Sequence, residues 1–169
     1  MSEDSKQTHL INELPYPIEI IGVPDIIVAA NSDGILIANK EKSHLIKDRL
    51  SHVTKLPRHV EKRWGFYQIV RHLKDDQGQE SMIKLLKMDQ GSQTSYHTHD
   101  QRDESLTILS GVADILMEDK LYRLSAGGVL HIPAGSRHGI KAVSALELIE
   151  VCLGHDLAEE DIQRISMIW

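Results

Sequence analysis

The sequence predicts an all-β sandwich or barrel with a small strand-plus-helix appendage ahead of it. Two observations carry this. From Trp64 onward, short runs rich in aliphatic and β-branched residues recur at regular spacing, with turn residues between them. The chain has 169 residues, 41% of them hydrophobic and 26% charged, which suits one soluble domain with a short addition. A chain of that length buries enough surface to fold without a disulfide or a metal.

In order, residues 1–16 read as a polar arm. Residues 17–56 hold three short apolar runs, Ile18–Ile21, Ile26–Ala30 and Ile35–Ala38, punctuated by Pro24 and by Asn31-Ser32-Asp33-Gly34. A helix is expected over 40–53, where Leu45, Ile46 and Leu50 make a narrow apolar face. Residues 57–169 form the barrel. Its strands are expected at Trp64–Val70, Ser81–Met88, Ser105–Leu109, Ala113–Met117, Leu121–Leu124, Val129–Ile132 and Leu146–Leu153. The turns between them carry Asp75-Asp76-Gln77-Gly78, Asp89-Gln90-Gly91, Ser110-Gly111, Glu118-Asp119-Lys120 and Ala126-Gly127-Gly128. A short helix over Ala158–Ile165 is expected to follow.

Composition narrows the function. The formal net charge of −6 disfavours binding to a nucleic-acid backbone. No apolar run approaches a membrane span, and the polar start is unlike a signal peptide. With a single cysteine, Cys152, no intrachain disulfide exists, and a cytoplasmic protein is expected.

Histidine is abundant, at ten residues, and its placement matters more than its number. His97 and His99 stand two apart on an extended stretch, so both face one side. Glu104 follows across a turn. Two imidazoles and a carboxylate so placed can meet around one divalent ion, with a further ligand from elsewhere. His138 fits that place, since Pro133 and Gly135 turn the chain just before it.

The two blocks, Gly91 through Gly111 and Gly127 through His138, match the two motifs of the cupin superfamily, G-x5-H-x-H-x4-E-x6-G and G-x5-P-x-G-x2-H. The asparagine often found four residues past the last histidine is Ala142 here. The match implies a jelly-roll barrel, a double-stranded β-helix, with His97, His99, Glu104 and His138 as ligands of one divalent ion: Zn, Mn, Fe, Co or Ni.

From about Ile18 onward the chain also resembles the C-terminal part of bifunctional mannose-1-phosphate guanylyltransferase / type II mannose-6-phosphate isomerase. Arg63-Trp64-Gly65-Phe66-Tyr67 resembles that family's R-P-W-G-x-Y, with Arg63 in place of the proline. His131 through His138 resembles Y-I-P-A-G-x-x-H, and Leu146 through Arg164 resembles LELIEVQ-x-G-x-x-L-G-E-D-D-I-V-R. Gly22 through Lys40 resembles the strands that end the family's nucleotidyltransferase domain. No glycine-rich nucleotide loop occurs in the chain, so guanylyltransferase activity is not expected of it. The sequence reads either as part of a longer protein or as a naturally short relative, and Met1 with the acidic arm favours the second.

At the metal site the chain departs from the family's L-S-L-Q-M-H-H-H-R-A-E-H. Position 97 is His instead of Gln, and Asp100, Gln101 and Ser105 replace histidines. His99, Arg102, Glu104 and His138 are retained. The resemblance implies aldose–ketose isomerisation of a sugar or sugar phosphate. His131 and Glu150 are candidates for the base that carries the proton, although His131 is equally readable as a core histidine bonded to backbone. Arg164 and Lys84 match basic residues of the family and are candidates for binding a substrate phosphate. Both are also readable as solvated surface charges, as most basic residues are. Trp64, Phe66 and Tyr67 read as packing, and Cys152 as an inert buried thiol. The alternatives are an oxygenase-type metal cupin and a non-catalytic sugar-binding or regulatory module. A homodimer is expected, because the strands of 18–38 leave open edges.

Overall fold

The computed structural model describes residues 2–51, 57–155, 157 and 161–169. The chain divides into two units, residues 1–58 and residues 59–169.

In the first unit, β2 (Ile26–Asn31) and β3 (Gly34–Asn39) form a hairpin whose loop is Ser32-Asp33. The Asn31 side chain closes that turn by accepting from the backbone N–H groups of Asp33 and Gly34, at 3.0 and 3.2 Å. Strand β1 (His9–Asn12) adds to β2 in parallel. This segment was expected to be part of a solvated arm. The ladder to β2 supplies partners for its backbone that an isolated polar segment would lack. Ile18–Ile21, expected as a strand, has no regular structure. The expected helix begins as a 3₁₀ turn, Lys40–Leu45, capped by the Asn39 side chain at Glu41 N, and continues as α1, Ile46–Leu50. Residues 52–53 of that expectation lie outside the described residues.

The second unit is built from two sheets. The strands are β4 (His59–Lys62), β5 (Gly65–Lys74), β6 (Glu80–Met88), β7 (Tyr96–His99), β8 (Arg102–Ser110), β9 (Val112–Met117), β10 (Lys120–Ser125), β11 (Val129–Ile132), β12 (His138–Ala142), β13 (Leu146–Gly154) and β14 (Ile162–Ser166). One sheet has the order β11-β8-β13-β6-β5-β4 and the other β10-β9-β12-β7-β14. Each barrel strand expected from the sequence is present within a few residues of its bounds. The expected helix over 158–165 is not borne out at its end: Ile162–Ser166 is a strand, paired antiparallel with β7. Its Ile-Gln-Arg-Ile pattern has no helical cap within it, and the open edge of β7 offers it a ladder. Residues 158–160 of that expectation lie outside the described residues.

Register sorts the interior into two ends. In the six-stranded sheet, Ile108, Leu148, Leu86 and Tyr67 form one inward row. The next row is Leu130, Leu106, Glu150, Lys84 and Ile69, and beyond it lie Ile132, Glu104, Cys152 and Met82. From the facing sheet, Ala113, Ile115, Ile140 and Ala142 complete the apolar end. Leu106, Ile108, Ile115 and Leu148 are fully enclosed there, each contributing about 1.5–3 kcal/mol by leaving water. The apolar end fixes the sheets, and the other end is free to carry polar groups.

Candidate metal centre and ligand cavity

Period-two alternation turns His97 and His99 of β7 inward together, while Tyr96 and Thr98 face the other way. His138 opens β12 directly opposite His97 in the ladder. Glu104 points inward from β8 in the facing sheet, with Arg102 on the same side of that strand. The four expected ligands therefore converge. One nitrogen from each of His97, His99 and His138 lies within 4.8 Å of the others. Glu104 spans two of them, with Oε1 at 3.2 Å from His99 Nε2 and Oε2 at 3.1 Å from His138 Nε2.

The hydrogen bonds around the rings select their nitrogens. His97 Nδ1 lies 2.7 Å from the Ser95 carbonyl and His138 Nδ1 lies 3.0 Å from the Ser136 carbonyl. A carbonyl only accepts, so each Nδ1 carries a proton; the His97 Nε2 then keeps its lone pair, while the His138 Nε2 donates to Glu104 Oε2. Such outer partners are what orient ligand histidines. His99 has the Asp161 carboxylate 4.0 Å from its Nδ1. The guanidinium Nη2 of Arg102 lies 2.9 Å from that Nδ1 and 3.0 Å from Nε2, and Arg102 Nε lies 3.1 Å from Glu104 Oε1.

Burial and the nearby His138 push His97 down to about 3, so it is a neutral imidazole at ordinary pH. Glu104 is almost fully enclosed, which alone would raise it, but hydrogen bonds from His138 and His99 hold it well below the usual carboxylate range. Burial works against a charged His138, but the hydrogen bond and charge of Glu104 outweigh it and hold His138 above its ordinary value. Three imidazoles and one carboxylate are a donor set that fits a divalent transition metal.

A cavity of about 430 Å³ opens beside this cluster. Five cationic side chains line it, Lys62, Arg63, Lys84, Arg102 and Arg164, against the two carboxylates Glu104 and Glu150, in a chain whose formal net charge is −6. The field inside it therefore favours an anion.

Glu150 and Lys84 face each other across the β13–β6 ladder and form an ion pair at 2.7 Å with both side chains nearly buried. Burial works against the Lys84 ammonium, but the Glu150 charge outweighs it and leaves the lysine above its ordinary value. Lys84 and Lys62 both sit over the Tyr67 ring, at 5.3 and 5.5 Å. The Cys152 thiol lies 3.2 Å from Glu150 Oε1. Burial and that carboxylate both push the thiol up, so it stays protonated. Arg164 of β14 stands opposite His97 and lines the cavity.

His131 is a correction. It alternates with the buried Ile132 on β11 and so lies exposed on the outer face, bonded to Ser105 Oγ at 3.2 Å. It does not line the cavity. Phe66 likewise lies away from the cavity, its ring 4.7 Å from that of His59. Sequence reasoning missed Arg102 and Arg63 as cavity residues, and it named Glu150 without its pairing to Lys84 or its contact with Cys152. Arg102 shares the inward face of β8 with the buried Glu104 and Leu106, a signal that required the register of the sheet, and Arg63 lies in the turn between β4 and β5.

A family model described as mannose-6-phosphate isomerase C-terminal matches residues 48–167. The alginate biosynthesis protein AlgA of Pseudomonas aeruginosa is 29% identical over 161 residues, covering 90% of this chain and 32% of that protein. A mannose-1-phosphate guanylyltransferase of Salmonella montevideo is 31% identical over 160 residues, covering 88% of this chain and 32% of that protein. The chain thus spans about a third of the length of these relatives. A conserved protein of Klebsiella pneumoniae with a double-stranded β-helix domain superposes with a TM-score of 0.51 at 14% identity, covering 69% of this chain and 88% of that one. The barrel is accordingly a cupin barrel, as the sequence motifs implied. Among the described residues no helix is long and apolar enough to cross a membrane.

Proposed function

The chain belongs to the mannose-6-phosphate isomerase C-terminal family, and on that premise we propose that it is a metal-dependent cupin acting on a sugar phosphate by aldose–ketose isomerisation. The observation that carries the proposal is the convergence of His97, His99, Glu104 and His138 on one side of a cavity whose lining is cationic. These four residues hold the metal, which when bound supplies Lewis-acid stabilisation to oxygens of the substrate.

The remaining steps belong to side chains. Arg164 binds the phosphate at the cavity wall. The Glu150 carboxylate takes the proton from C2 and returns it at C1, while the O2 proton passes to O1, so the aldose becomes the ketose with no net gain or loss. Lys84, held as an ammonium, keeps Glu150 oriented and donates to a substrate oxygen. Leu106 and Ile69, which flank the pair in its row, keep water from its sides.

The test combines elemental analysis with turnover of mannose 6-phosphate. About one metal per chain is expected, lost in His99→Ala, and Glu150→Gln should keep the metal while turnover falls by about 100-fold or more. Full turnover in Glu150→Gln would remove it as the base. A second reading, a metal-dependent oxygenase, is favoured by the three-histidine-one-glutamate donor set, which also suits Fe(II) or Mn(II). Iron in the purified protein with substrate-dependent oxygen uptake would support that reading over the first.

A further inference from the structure

Strand β14 and the residues after it are clipped across the ligand-bearing strand β7 at both ends. At one end the Asp161 carboxylate accepts from the backbone N–H groups of Asp100 and Gln101, both at 3.2 Å. At the other, the Trp169 indole Nε1 donates to the Thr94 carbonyl at 3.1 Å. Between these clips, Ile162, Arg164, Met167 and Ile168 line the cavity. Met167 and Ile168 remain 56% and 82% exposed, so little apolar burial holds this stretch in place. The ladder shifts register between Arg164 and Ser166, which re-aims the chain just after the arginine.

The indole has a made seat. It lies against Gly139 of β12, on the side of that strand opposite His138. A Cβ added to Gly139 would stand 2.6 Å from the indole Nε1 and 2.8 Å from Cε2. Only a glycine leaves room for the ring there. The backbone of Gly139 is not in the left-handed region, so the requirement for glycine comes from the indole and not from the backbone.

We propose that Trp169 is a positioning residue: seated on Gly139, it anchors β14 as one wall of the cavity and thereby presents Arg164, opposite His97, to an anionic ligand. The ligand half of this proposal rests on reading the cavity as a sugar-phosphate site, and the anchoring half does not. Removing the indole frees the end of β14, and Arg164 then samples many positions in place of one. Affinity for the phosphate group falls, while the four metal-binding side chains, which lie on β7, β8 and β12, keep theirs.

The experiment uses the full chain, Trp169→Ala, Trp169→Phe, Gly139→Ala and the double variant Gly139→Ala/Trp169→Ala. Hydrogen exchange is followed in the peptide covering 161–169 and in β8 and β13. Binding of inorganic phosphate and of mannose 6-phosphate is followed by calorimetry, with metal content as a control. Trp169→Ala and Gly139→Ala are each expected to speed exchange in 161–169 by about tenfold, leaving β8 and β13 unchanged. They should weaken phosphate binding by about tenfold with metal content intact. Trp169→Phe, which keeps a ring on the seat, should recover part of both. The double variant should be no worse than Trp169→Ala, because the added methyl no longer meets an indole. Unchanged exchange in both single variants, or additive effects in the double, would overturn the anchor. Released exchange with undiminished phosphate affinity would overturn the link to Arg164. If the unaltered protein binds neither probe, the sugar-phosphate reading and the ligand half fall together, and the exchange data alone decide the anchor.

Discussion

Replacing Lys84 by methionine is expected to destabilise the barrel by about 3–5 kcal/mol, because it leaves a buried carboxylate without its partner. The two charges lie 2.7 Å apart with side chains only 12% and 10% exposed. At an effective dielectric of about 20 their attraction amounts to about 6 kcal/mol, offset by several kcal/mol for taking each from water. The net worth of the intact pair is therefore small, and the loss on breaking it is large. Glu150→Leu should cost a similar amount by stranding the ammonium. The double variant Lys84→Met/Glu150→Leu should fall within about 1 kcal/mol of the unaltered protein, since Leu106 and Ile69 flank the site in the same row. Urea unfolding followed by Trp64 and Trp169 fluorescence gives all four free energies. A coupling of about 3 kcal/mol or more is expected, and additive single effects would refute the pairing. The pH dependence provides a second check. Lys84 is held above its ordinary value, so its contribution is complete below a lysine's normal value of about 10.4 and is lost only as pH rises through the raised one. Deprotonation of Lys84 should then take no stability from the unaltered protein between about pH 6 and 9.

Three further outcomes follow from single positions. Gly111 sits at φ +85°, and a Cβ there would lie 2.1 Å from the Ala145 carbonyl oxygen, whereas Gly78, also at φ +85°, faces open space. Gly78→Ala should cost about 1 kcal/mol and Gly111→Ala several times that, or abolish folding, as read by urea midpoints. Glu80 is held below its ordinary value chiefly by the hydrogen bond from Lys74, against a burial cost, with His72 adding to it. Stability from a lowered carboxylate is complete above its ordinary value of about 4.5 and is lost as pH falls through the folded-state value. Glu80→Gln should therefore flatten the acid limb of the stability profile below that pH. Cys152 is fully buried with its thiol held protonated, so a thiol reagent should leave it untouched in the native protein and modify it on unfolding.

The ligand set was legible because its spacing carries its geometry. His97 and His99 face one way on any extended strand, Glu104 follows them across a short turn, and His138 carries the second motif block to the strand that pairs with His97. The helix expected over 158–165 failed for a different reason. Whether Ile162–Ser166 is a strand depends on the free edge of β7, and that edge exists only once the barrel has formed.

His131 and Glu150 show where reading from residues stops. Both lie on strands and both carry a group able to take up a proton, so type alone ranked them equally as bases. Register separates them. His131 alternates with Ile132, which faces inward alongside Glu104, so the histidine must face out. Glu150 stands two residues from Leu148 and from Cys152, both fully enclosed, so it faces in with them. The same parity puts Lys84 beside it and turns two separately named candidates into one ion pair. A base that exists only as half of a pair has a consequence for the proposed chemistry. Any proton that Glu150 accepts weakens its hold on Lys84, and in the proposed reaction the freed ammonium can then donate to the charge the substrate has developed. In the proposed reaction the two residues therefore act in sequence, and neither can be removed without altering the task of the other.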